Sequence, residues 1–362
     1  MEQYNRYRSM NMLKDFKPDY RRLVRAARNE ITEGLPLYEH HINLKVIGSI
    51  LSRDLEQMYE SREPGQLEEM FSLIAQFHID YGYDCYSFEG CFTELVQGGK
   101  GLTGQAGPII RSMDDFRAFP WDQVIDDYFE RFNPYFEAIK VTLPEGMKIV
   151  GGVGNGLFET IQDFVPFTEL AYLEIDDPEL FAELWMKVGD TLYRIWERFL
   201  LSYSDILAIG RFGDDLGFKS APLLNPATIR EYIIPQYKRI VALVQSKDIP
   251  FLLHSCGCIF DVMDDIINKT GIDAKHSNED AIAPFSHWVD EYGDRIGNFG
   301  GFDMDVICRE TPENIRKYVH DIVVPLQGRR GLAFGSGNQI ADYVPPENFQ
   351  AMVEEFRLIR GF

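Results

Sequence analysis

Pro250-Phe251-Leu252-Leu253-His254 is a short apolar run that closes on a polar residue. Runs of the same kind recur along the chain. Leu35-Pro36-Leu37-Tyr38-Glu39-His40, Gly82–Phe88, Lys148–Val153 and Ile206–Ile209 precede it. Asp273–His276, Arg295–Phe299 and Gly331–Phe334 follow it. Longer amphipathic stretches separate the runs. Short buried runs alternating with helical periodicity are the pattern of βαβ units on a parallel sheet. The eight in series predict an α/β fold, a (β/α)8 TIM barrel with an N-terminal helical extension.

The helices carry their own marks. Asp177-Pro178, Asn225-Pro226 and Thr311-Pro312 each place a capping side chain before a proline at the first helical position. Ile315, Tyr318, Val319 and Ile322 then recur at helical spacing, as do Phe349, Met352, Val353, Phe356 and Ile359 after Pro345-Pro346. Residues 1–34 read as a helical extension packed on the base of the barrel, and residues 35–362 as the barrel itself.

Composition excludes several classes. The 362 residues hold 36 basic and 57 acidic side chains, a net charge of −21, which repels phosphate backbones and anionic lipid. No nucleic-acid or membrane partner is therefore expected. No apolar run reaches the length of a membrane span, and the polar start Met1-Glu2-Gln3 lacks a signal-peptide core. Five cysteines are no disulfide framework, so a reducing cytoplasm is the expected location.

In a barrel of this kind the active site gathers at the C-terminal ends of the strands. The polar residues closing the runs are Glu39, His40, Glu89, Asn155, Asp214, Asp215, His254, Cys256, Cys258, His276, Asp303, Asp305 and Asn338. Arg211 is the exception in a set dominated by acids and metal-binding types. His254-Ser255-Cys256-Gly257-Cys258 is the sharpest motif. On an extended segment its imidazole and two thiols point to one side, a donor set suited to zinc with an open fourth position. Gly257 is also able to turn the chain and send Cys258 elsewhere. Asp214 and Asp215 suit metal binding, substrate positioning or acid–base work, or a plain helix cap. Gly151-Gly152-Val153-Gly154-Asn155-Gly156 fits neither phosphate-binding pattern and reads as a tight strand-to-helix turn or a close approach to a ligand. Cys85, Cys91 and Cys308 read as buried thiols.

Several of these stretches resemble one family. Gly213-Asp214-Asp215-Leu216-Gly217, Leu224-Asn225-Pro226, Glu231–Lys238, His254-Ser255-Cys256-Gly257 and Val344-Pro345-Pro346-Glu347-Asn348 are similar to the uroporphyrinogen decarboxylase superfamily. The resemblance implies a (β/α)8 barrel and two branches, haem-pathway decarboxylases and cobalamin-dependent methyltransferases that use zinc. The decarboxylase branch carries an arginine-rich R-Q-A-G-R motif in its first loop to receive carboxylates. Glu39-His40-His41-Ile42-Asn43-Leu44 stands there in this chain, and the next arginine is Arg53. That branch's aspartate after the second strand corresponds to Glu89, and its last-loop histidine to Asn338. The methyltransferase branch implies an H-x-C…C zinc site, matched at His254 and Cys256, with its third ligand falling on Asn338. Cys258 is one replacement for that ligand, and Glu39, Asp214 or Glu89 are others.

The resulting expectation is a methyltransferase that moves a methyl group between a corrinoid and a small thiol or methylated substrate. Zinc at His254, Cys256 and Cys258 would assist, with Glu89, Asp214 and Asp215 in catalytic roles. Glu39, His40, Asn155, His276 and Asn338 would bind substrate or corrinoid. A corrinoid carrier protein and a homodimeric state are expected from the resemblance. A carboxy-lyase acting on a tetrapyrrole-type substrate and a non-catalytic corrinoid-binding barrel are the alternatives.

Overall fold

A computed structural model describes residues 16–96 and 108–361. The first fifteen residues of the expected N-terminal extension lie outside the described residues. Seven strands follow one another in a single sheet whose spatial order is the chain order: β1 Cys85–Cys91, β2 Lys148–Gly154, β3 Leu207–Gly213, β4 Phe251–His254, β5 Ala274–His276, β6 Gly297–Phe302 and β7 Leu332–Ser336. The registers are parallel, with Gly213 opposite His254 on β3–β4 and Phe302 opposite Ser336 on β6–β7. Helices intervene between strands, and the fold class is the TIM barrel.

Seven of the predicted runs are these strands. The remaining run, Leu35–His40, takes the place beside β7 but pairs through one parallel bridge, Leu37 with Phe334. Its ladder is short: Phe334 N–H donates to Pro36 O and Tyr38 N–H to Phe334 O. Pro36 has no N–H to extend it. From the other side, Ser87 Oγ at β1 donates to Glu39 O at 2.6 Å.

The described residues form two compact units. One comprises residues 16–87, 134–150 and 276–361. Here the segment around the helix Arg21–Ala27 is tied to the residues just ahead of three strands. Tyr20 N–H donates to Gly146 O, Arg22 pairs with Asp84, and Gly331 N–H donates to Glu30 O. The helices Pro312–Leu326 and Pro346–Arg360 pack together. Ile315, Val319, Val323 and Leu326 are buried on the first, with Tyr318 and Ile322 at the margin of that face. Phe349, Met352, Val353 and Phe356 are buried on the second. All three prolines expected at helix starts are there. Asp177, Asn225 and Thr311 accept from Leu180, Ala227 and Asn314 N–H.

The second unit comprises residues 88–96, 108–133 and 151–275. Its longest helix, Pro178–Tyr203, buries Trp185, Trp196 and Phe199 completely. Gly152 on β2 makes room for this helix, since a Cβ there would lie 3.0 Å from the Trp196 and Phe199 rings. A π-turn over Ile229–Ile233, with Ile234 N–H bonded to Ile229 O, precedes the helix Ile234–Gln245. Pro235 explains it: its ring has no N–H and crowds the preceding turn, so the local ladder widens. Among the described residues, no helix is long and apolar enough to cross a membrane.

Candidate metal centre

The ladder between β3 and β4 does not stop at the strand ends. Asp214 N–H donates to His254 O at 2.9 Å, Leu216 N–H to Ser255 Oγ at 3.2 Å, Gly217 N–H to Cys256 O at 3.1 Å and Cys258 N–H to Phe218 O at 2.6 Å. The two loops therefore run zipped together. Their main chains touch at two glycines. A Cβ on Gly257 (φ +80°) would sit 2.2 Å from the Gly217 carbonyl, and one on Gly217 would lie 2.7 Å from Cys258 N.

This zip gathers three donors from two loops. Asp215 Oδ1 lies 3.7 Å from His254 Nε2, and Cys256 Sγ lies 3.4 Å from the same nitrogen. The three donor atoms are all within 4.8 Å of one another. Cys256 N–H also donates to Asp215 Oδ1 at 2.8 Å, which holds that carboxylate over the second loop. His254 is buried, while Asp215 and Cys256 are half-exposed, so the group faces an accessible side. A tetrahedral zinc with ligand bonds of roughly 2.0–2.3 Å needs donors about 3.3–3.8 Å apart. The nitrogen–oxygen and nitrogen–sulfur separations meet that requirement, and an imidazole, a thiol and a carboxylate match zinc's ligand types. The residues present fit the metal.

The third donor differs from the expected one. Among the described residues, Cys258 is not part of this group. The alternation that would have aligned it with His254 and Cys256 ends at Gly257, whose left-handed backbone turns the chain. Cys258 instead pairs its main chain with Phe218.

The adjacent aspartates divide their work. Asp214 is fully buried and turned into the start of the helix Leu157–Phe164. It accepts from Phe158 N–H at 3.0 Å, from Glu159 N–H at 2.8 Å and from Tyr237 Oη–H. Burial pushes its pKa up to about 6 against the lowering effect of those donors. Gly156 makes the approach feasible, since a Cβ there would be 2.3 Å from the Asp214 Cβ. The glycine-rich run thus serves a strand-to-helix turn, capped from outside by Asp214. Its contacts are those of a helix cap, the alternative to the expected catalytic role.

Asn155 and Glu89 sit in the same unit. Asn155 accepts from Thr93 Oγ1–H at 3.0 Å and donates Nδ2–H to Glu159 Oε2 at 2.7 Å. Glu89 receives Nη2–H of buried Arg211 at 2.7 Å, so this acid's charge is countered within the unit. Glu159 escaped the sequence reading. Burial, then the charges of Asp215 and Asp214, drive its pKa upward. Its signal was an acid in the first turn after the glycine run, a commonplace feature of helices.

The first unit holds a polar cluster of its own residues. Glu39 accepts from Ser336 N–H at 3.2 Å, from Ser336 Oγ–H and from Tyr83 Oη–H at 3.4 Å. Burial outweighs these donors and raises its pKa to about 7. His40 stacks on His276 with centroids 5.7 Å apart. His276 Nε2 lies 2.9 Å from Ser336 O, and because a carbonyl only accepts, that nitrogen carries the hydrogen. Asn338 is half-buried two residues beyond Ser336. Glu39, His40 and His276 are thus brought together around β7.

The chain superposes with a TM-score of 0.68 on a methyltransferase from Methanosarcina mazei. That structure is 15% identical, and the match covers 95% of this chain and 99% of the other. A xylose isomerase-like TIM barrel protein from Mycobacterium smegmatis matches at a TM-score of 0.38 and 11% identity, over 81% and 89% of the two chains. Endo-glycoceramidase II from a Rhodococcus species matches at 0.40 and 13%, over 79% and 73%. A search of curated proteins returned no significant match. The family model described as uroporphyrinogen decarboxylase (URO-D) matches residues 96–358, a span that contains the zipped loops and six of the seven strands, and the chain belongs to that family.

Proposed function

We propose that this protein is a zinc-assisted methyltransferase of its family, moving a methyl group between a corrinoid and a small thiol or methylated substrate. The observation that carries the reading is the convergence of Asp215, His254 and Cys256 donors within 4.8 Å at the ends of β3 and β4. Zinc bound there supplies Lewis acidity, lowering the pKa of a thiol or polarising a heteroatom that leaves a methyl group. The residues do the rest. His254 and Cys256 would hold the ion from one loop and Asp215 from the other, and three protein donors would leave room for a substrate ligand. Asp214 fixes the first loop to the helix Leu157–Phe164, so the ligands arrive preorganised. The half-exposure of Asp215 and Cys256 leaves the group accessible to a second reactant. Arg211 is countered by Glu89, which argues against a polycarboxylate substrate such as a porphyrinogen.

Metal analysis of untagged protein, wild type and Cys256→Ser, tests the reading. The expected result is one zinc per chain in the wild type and its loss in the variant, with thiol-dependent bleaching of methylcobalamin in the wild type alone. A metal-free wild type that releases carbon dioxide from a porphyrinogen would sink it.

A further inference from the structure

Glu159 stands in the first turn of the helix Leu157–Phe164 and is 8% exposed. Its two oxygens go to two different donors. Oε1 accepts the Asp215 main-chain N–H at 3.1 Å, and Oε2 accepts Asn155 Nδ2–H at 2.7 Å. Asn155 is itself braced by Thr93 Oγ1–H and holds a left-handed backbone at φ +59°, a conformation that needs such support outside glycine. In the reverse direction, the Glu159 N–H donates to Asp214 Oδ1 at 2.8 Å. Helix and loop therefore exchange caps. Asp214 takes an amide of the helix, and Glu159 takes the next amide of the loop.

The exchange has a directional result. With Asp214 committed to the helix and the Asp215 amide held by Glu159, the Asp215 carboxylate is left facing His254 Nε2 and the Cys256 N–H. A buried carboxyl group costs free energy that its hydrogen bonds only partly offset, and an apolar side chain would fill this helix position more cheaply. We infer that Glu159 is the positioning residue for the oxygen ligand of the metal centre, acting on the ion through the Asp215 main chain. This inference rests on the metal reading above.

Zinc affinity, measured by competition with a chromophoric chelator, and amide hydrogen exchange across residues 213–217 of the zinc-free protein test it together. Glu159→Ala is expected to weaken zinc binding roughly 10- to 100-fold, the usual penalty for removing a group that orients a ligand, and to speed exchange at the Asp215 amide. Glu159→Gln keeps an acceptor for that amide and should stay close to wild type on both measures. Should Glu159→Ala fail to fold, Asn155→Ala removes one of the braces on Glu159 and should shift both measures in the same direction. Wild-type zinc affinity in Glu159→Ala, or in Asn155→Ala where it stands in, overturns the inference alone, as does an equal loss in the Ala and Gln variants. A wild type that binds no zinc defeats the metal reading and this one with it.

Discussion

Glu39 has three donors aimed at it and lies sealed from solvent, and the burial prevails: its pKa stands at about 7 where 4.5 is ordinary. Between those two values the folded chain keeps a proton that the unfolded chain has released. Stability from this group is thus present at low pH and lost as pH rises through the window, by roughly 3 kcal/mol in all. Glu39→Gln should flatten that slope, leaving stability near wild type at pH 5 and raising it at pH 8. Urea denaturation at the two pH values checks this, and an unchanged slope would refute it. At this scale the sequence was readable in part. His254 and Cys256 follow from alternation on an extended segment, because the one residue between them, Ser255, is not a glycine that could turn the chain. The choice between Asp214 and Asp215 was not readable. It depends on where the first turn of the helix Leu157–Phe164 lies, more than fifty positions away in the chain.

Elements were more legible than site residues. β1 to β7 coincide with runs that are apolar because both faces of a covered parallel sheet are buried. The run at 35–40 looked equivalent, yet Pro36 limits it to a single bridge. The π-turn at Ile229–Ile233 left no mark beyond Pro235. What binds elements together is clearest at Asp214, which joins a loop, a helix start and Tyr237 from the next helix. Asp214→Ala would strand two buried amides and a hydroxyl, at about 1–3 kcal/mol for each group that stays unsatisfied. A loss of roughly 3 kcal/mol or more in chemical denaturation is expected. A loss below 1 kcal/mol would show that the cap contributes little.

For the molecule as a whole, a net charge of −21 burdens the folded state with self-repulsion. A divalent cation that binds only the folded chain offsets this by mass action. Zinc at a hundredfold its Kd should add about 2.7 kcal/mol and raise the melting temperature, with reversal by chelator. Magnesium, which prefers an all-oxygen shell, should not reproduce the effect at a centre that includes nitrogen and sulfur. Equal shifts with both ions would mean general charge screening. The barrel and the acidic character could be read from the chain directly, because both are sums over many residues. The third donor of the candidate centre could not, because Asp215 is set against His254 and Cys256 by contacts between loops about forty residues apart.

Where Gly217 and Gly257 meet, atom radii alone set how far apart the loops stand. The spacing is insensitive to which side chains surround it, so neighbours are at liberty to drift without disturbing the separation of Asp215, His254 and Cys256. Change around the two loops is thereby uncoupled from the distance between them.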